Sequence, residues 1–202
     1  MRHLVRGCWT VAVIAALSGC GGSSAATSEA GGDHGLQGLI LRPAKSAPPL
    51  ALRNFTGRPV GLSAFRGKAV LVTFVYVHCP DVCPLIVAGL AAAQRQLGRE
   101  ARRVQILAVT VDPRRDTPAD VRSFLAARDA LGRMDYLLGT VRELLPIWKA
   151  WQVGVTLGPG KVIAGHSAMV YGITASGRLA DVYPSNFSPA QIVHDVPVLA
   201  RN

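Results

Sequence analysis

Acidic residues, aromatic residues and cysteine are all scarce in this chain. Of its 202 residues twelve are Asp or Glu, four are cysteine and 6% are aromatic. Charged residues reach only 17%, below the roughly 25% of ordinary soluble proteins. Half of the residues are hydrophobic, which excludes a disordered chain. The 21 glycines follow no three-residue period, which excludes collagen. Beyond the N-terminus no apolar run approaches the ~20 residues of a spanning helix. A chain of 202 residues reads as one domain with a sizeable core. What is abundant is positive charge, a net +10. That balance invites a nucleic-acid reading, and four cysteines invite a zinc reading. Both depend on where the residues sit.

Arg2, His3 and Arg6 precede the apolar run Trp9–Leu17, the pattern of a secretory signal. Leu17-Ser18-Gly19-Cys20 closes it and resembles a bacterial lipobox. Residues 1–19 are therefore expected to leave as a lipoprotein signal peptide, with Cys20 lipidated. Loss of Arg2 and Arg6 reduces the 22 cations to 20 against twelve acids, a net +8. Cys8 leaves too, so Cys79 and Cys83 remain as the thiols. The expected location is a bacterial cell envelope, lipid-anchored, with the domain on the extracytoplasmic side. A close thiol pair can oxidise to a disulfide there.

Residues 20–35 form the lipidated cysteine and a Gly/Ser/Ala-rich stretch without large apolar residues, read as a flexible tether. Its His34 reads as a solvated linker residue. Residues 36–202 form the domain. Ala69–Val77 and Val104–Val111 are nearly continuous apolar runs, as in strands covered on both faces. A helix from about Pro84 to Leu97 joins them into a right-handed βαβ unit. Helices follow from Thr117-Pro118 to about Leu131, from the Thr140–Glu143 capping box to Trp151, and from Ser188-Pro189 onward, where Pro197 should interrupt. Asp135–Leu138 reads as a strand, and Ala168–Ile173 with Arg178–Tyr183 as a hairpin. The fold class is α/β, a mixed sheet flanked by helices. Met134 and Met169 read as core, and Trp148 and Trp151 as core or interface. The arginines are scattered without interleaved aromatics, which argues against nucleic acid and for anionic lipid headgroups.

The chemistry gathers at His78-Cys79-Pro80-Asp81-Val82-Cys83-Pro84, between the first buried strand and its helix. Open α/β sheets place ligands at such carboxyl-terminal corners. Thiols four positions apart share a face in a turn or helix. Cys83 at a helix N-terminus is expected to favour the thiolate. The pair can close a Cys79–Cys83 disulfide or offer two soft sulfurs to a metal. Two thiolates suit Cu(I), zinc or iron–sulfur. Structural zinc and iron–sulfur clusters want four ligands, more than this chain's thiols supply. A third ligand would most naturally be histidine, with His78, His166 and His194 as candidates.

Three motifs resemble the SCO/SenC family. They are Gly67–Val72 leading to His78–Pro84, Val111–Pro118 (Val-Asp-Pro-Arg-Arg-Asp-Thr-Pro), and Gly165-His166-Ser167-Ala168. The resemblance spans about residues 48–200. It implies a thioredoxin-like fold with an inserted helix and strand, and copper held by Cys79, Cys83 and the distal His166. It also implies delivery of copper to the binuclear copper site of cytochrome c oxidase, or preparation of that site's thiols. The implied partners are the oxidase's copper-bearing subunit or another copper chaperone. The copper would be Cu(I), with Cu(II) as a further state. The family usually has an acid before the distal histidine, where this chain has Ala164-Gly165. His78, Asp112 and Asp116 are expected around the metal rather than on it, with plain helix capping as the competing role for the two acids. Turnover is not required, so the protein need not be an enzyme. The alternative is a thiol–disulfide oxidoreductase of the envelope using Cys79 and Cys83. A thiol peroxidase would need a tuned base or arginine that the sequence does not place.

Overall fold

A computed structural model describes residues 35–157 and 163–202. The signal peptide, Cys20, His34 and all but the last residue of the tether lie outside the described residues. The organising strand is β4 (Ala69–Val75), with every residue buried. It runs parallel to β5 (Val104–Thr110), which runs parallel to β6 (Asp135–Leu138). On its other side β4 pairs antiparallel with β9 (Met169–Ile173), and β9 with β10 (Arg178–Pro184). The edges are β1 (Leu39–Ser46) beside β10, and the hairpin β2 (Ala51–Asn54) and β3 (Pro59–Gly61) beside β6. The eight strands lie in the order β1-β10-β9-β4-β5-β6-β2-β3. Burial on both faces explains why β4 and β5 read as unbroken Val/Leu/Ile runs.

Between β4 and β5 runs α1 (Val82–Gln96), with Pro84 in its first turn. Ile86, Val87, Leu90 and Ala91 recur on one buried face, where α1 meets α4 (Pro189–Leu199). Gly98, at φ +52, ends that run and opens a short 3-10 turn. In α2 (Pro118–Ala126) Thr117 caps the first turn by accepting the Asp120 N–H at 3.2 Å. It stops short of Leu131 because Asp129 turns to φ +51 and the Ala130 N–H closes on Leu125 O. The Thr140–Glu143 capping box opens α3 (Val141–Ala150). Pro146 lies within α3 and removes the bond to Arg142 O, but both residues are exposed, so water can take that carbonyl. Likewise α4 continues through Pro197 to Leu199 instead of being interrupted.

A separate two-stranded ribbon, β7 (Val155–Leu157) and β8 (Ile163–His166), is the element the sequence pattern missed. Its strands are three and four residues long, below the window in which alternation is visible.

Where the chain enters β1, two buried carboxylates receive it. Gln37 N–H donates to Asp195 Oδ2 at 2.8 Å and Gly38 N–H to Asp181 Oδ2 at 3.3 Å. Tyr183 O–H and His194 Nδ1 also meet Asp195, at 2.8 and 2.7 Å. Glycine is required at 38, since a Cβ there would stand 2.2 Å from Asp181 Oδ1. Burial first, then the neighbouring Asp195, pushes the Asp181 carboxyl up to about 6. A raised carboxylate favours folding most when protonated. Its contribution is full below the ordinary Asp range and is lost as pH rises through about 6. Chemical denaturation at pH 4.5 and 7.5 should show Asp181→Asn losing less stability over that interval than wild type. Equal losses would show that Asp181 does not set this dependence.

Candidate metal centre

The strand β4 ends at Val75, and the chain turns sharply, with Cys79 N–H donating to Tyr76 O at 3.3 Å. The turn folds Cys79 back over the start of α1. There the Cys83 N–H donates to Cys79 Sγ at 3.5 Å. No side chain caps this helix start through Asp81, so a cysteine sulfur takes part of that role. Both cysteines are buried free thiols, brought together by that backbone bond. The structure thus describes the dithiol rather than the Cys79–Cys83 disulfide.

The expectation that Cys83 favours the thiolate is corrected. Burial, followed by the hydrogen bond with Cys79, pushes its thiol well above the usual range. Desolvation in the core outweighs the orienting field of the helix start. At neutral pH Cys83 keeps its proton, and a metal must displace it.

Asp116 fixes the loop that carries the cysteines. Its Oδ1 accepts the Val77 N–H at 3.0 Å, and its Oδ2 accepts Thr110 O–H at 2.6 Å and Tyr136 O–H at 2.7 Å. Burial raises its carboxyl and these bonds partly offset the rise. Asp112 is turned to a different task. It is buried, and its Oδ2 accepts from Arg115 Nε at 2.5 Å. The competing capping role belongs to Asp120 and Thr117 instead, which close on each other at 2.6 Å.

His78 stands exposed in the turn. It lies beyond the end of β4, so the sheet does not fix its direction. His194 lies on α4 and bonds to Asp195, in the cluster that receives β1.

His166 closes β8, opposite Val155 in register. Its Nε2 lies 2.7 Å from Phe74 O. A carbonyl oxygen only accepts, so Nε2 carries the proton and Nδ1 offers the lone pair. Burial lowers the imidazole's affinity for a second proton, which keeps it neutral and fit to bind metal. The orientation a preceding acid would supply comes here from the Phe74 carbonyl. Space is open around Gly165, where a Cβ would meet nothing within 4 Å.

Beside the imidazole lies Tyr76, a residue the sequence reading did not single out. Its ring meets His166 edge-on at 5.7 Å, and Cys79 lies near enough to perturb its hydroxyl. Burial first, then Cys79, pushes the phenol up to about 12. The available signal was its place three residues before Cys79. Among the described residues no three His, Cys, Asp or Glu side chains already converge on one point. The structure gathers Cys79 and Cys83, and sets His166 beside Tyr76. Closing a three-donor site requires His166 and the thiols to draw together.

A mixed sheet with helices and a buried dithiol at the strand-to-helix corner defines a thioredoxin-like dithiol protein. The SCO1/SenC family model matches residues 41–201, and the chain belongs to that family. It is 30% identical over 193 residues to the bovine (Bos taurus) mitochondrial SCO2 homologue, covering 93% of this chain and 72% of that protein. The mouse (Mus musculus) SCO2 homologue is also 30% identical, over 72% of this chain and 59% of its own length. Among solved structures, Bradyrhizobium japonicum ScoI with copper bound superposes with a TM-score of 0.68 at 28% identity. That match covers 77% of this chain and 99% of ScoI. Apo Sco1 from Thermus thermophilus gives 0.70 at 29% identity, covering 83% and 99%.

Removing the Asp116 carboxylate strands a backbone N–H and two hydroxyls in the interior. Asp116→Ala should lower the unfolding free energy by about 2–4 kcal/mol and speed alkylation of Cys79. Asp116→Asn, which can retain the Val77 bond, should do less of both. Denaturation curves and iodoacetamide labelling would measure these effects.

Proposed function

We propose that the protein carries copper as cargo on Cys79, Cys83 and His166, and passes it to the copper-bearing subunit of cytochrome c oxidase. The observation that carries this reading is the donor set: two adjacent buried sulfurs, with the lone pair of a neutral imidazole that is tied to the strand leading to them. Cu(I) prefers soft, few-coordinate sites of this kind. Two sulfurs alone can start binding, and His166 completes the site once it and the thiols draw together. Handing on would proceed by ligand exchange, the acceptor's thiolates replacing these donors one at a time. ScoI, with copper bound at 28% identity, supports the assignment of the metal. In this reading Cys20 holds the chain to the extracytoplasmic side of a bacterial membrane by acyl chains. The diffuse positive charge adds attraction to anionic headgroups.

A second reading is favoured by the adjacency of the two free thiols. Cys79 and Cys83 would give up two protons and two electrons as they form a disulfide. The electrons would reduce a disulfide in the acceptor through a mixed disulfide. That chemistry has no need of His166.

Anaerobic Cu(I) titration against a competing chelator tests the first reading. Wild type should bind one equivalent, and His166→Ala should bind about 10–100-fold more weakly. Cys79→Ser/Cys83→Ser should lose tight binding. If the double variant binds as wild type does, the copper assignment fails. If only His166→Ala matches wild type, the site is two-sulfur. Affinity should also climb steeply with pH, because Cu(I) must displace the protons the thiols hold. Separately, Cys20→Ser should release the protein from the membrane fraction, and retention there would refute the lipid anchor.

A further inference from the structure

Beside the dithiol corner lies a groove of about 420 Å³, open to solvent. Its floor begins at Val111, whose N–H donates to Val75 O at 2.9 Å, the last strand residue before the cysteine turn. It continues to Val155, the register partner of His166. The groove therefore lies one backbone hydrogen bond from the strand that leads to the cysteines and reaches the ribbon that carries the histidine.

One wall is α3. Leu145 and Val141 are 55% and 41% exposed there, although both are large apolar residues. The wall is pre-formed, because the Trp148 indole N–H donates to Thr110 O at 3.2 Å and holds the ring in place. The charge in the groove is one-sided. Asp112 is spoken for by Arg115 at 2.5 Å. Arg114 and Lys149 line the groove, are exposed, and form no ion pair among the described residues.

A concave apolar trough with unpaired cations fits an apolar side chain flanked by carboxylates. A bilayer surface would instead call for a protruding apolar edge. Nucleic acid would call for a longer run of cations. We propose that this groove is the docking site for an acidic, apolar-tipped segment of the protein that receives the copper. The inference rests on the copper-delivery reading and adds where the partner sits. Occupying the groove would bring the acceptor against β7 and β8, next to the donor most exposed to exchange.

The probe is the soluble copper-bearing domain of the same organism's cytochrome c oxidase, titrated calorimetrically into the full chain. Arg114→Glu/Lys149→Glu should weaken binding at least tenfold and flatten its salt dependence. Leu145→Glu, on an exposed position that folding does not need, should weaken it similarly. Arg99→Glu, exposed in the turn before β5, is the control and should change little. Cu(I) affinity should be unchanged in all three variants. The proposal is overturned if wild type does not bind the probe, if the groove variants bind like wild type, or if Arg99→Glu loses as much. It is also overturned if the groove variants lose only binding to phosphatidylcholine/phosphatidylglycerol vesicles. A probe that binds through the groove but takes no copper would instead refute the delivery reading and leave the docking site in place.

Discussion

The carboxylate of Asp116 is the hinge on which the site depends. It sits in the interior, joins the end of β5 to the cysteine loop through Val77, and takes two further hydroxyls from Thr110 and Tyr136. Burying a carboxylate costs several kcal/mol unless it is well hydrogen-bonded. Here three donors compensate it, and each is anchored to a different part of the sheet. The cysteine turn is thereby tied through Asp116 to β5 and β6.

That frame creates the electrostatic character of the centre. A buried acid, two buried thiols and a buried phenol share a small volume, and no lysine or arginine is buried among them. Desolvation is the largest influence on the Cys83 thiol, the phenol and the acid, and it raises all three alike. A cation that binds the sulfurs would have to replace the Cys83 proton, which makes occupancy and proton release two sides of one event.

Much of this was legible in the residues. Unbroken apolar runs marked β4 and β5, since burial on both faces leaves no polar alternation. Thr117, Thr140 and Ser188 marked helix starts because capping is local chemistry. Cys79 and Cys83 were legible for the same reason, their spacing being set by one turn. Long-range relations were not legible. Tyr76 meets His166 across 90 positions of chain, and the Phe74 carbonyl that orients the imidazole is equally remote. The β7–β8 ribbon escaped because its strands are too short to show a period. The charge state of Cys83 escaped because a helix start is visible in sequence while its depth in the core is not.

The ribbon divides the centre into unequal halves. Cys79 and Cys83 belong to the rigid corner of the eight-stranded sheet, whereas His166 belongs to a two-stranded ribbon outside that sheet. The histidine is nonetheless tied to that sheet, by its bond to the Phe74 carbonyl and by the short link from β8 to β9, so a movement of the ribbon would be felt in β4, the strand that leads to the cysteine turn.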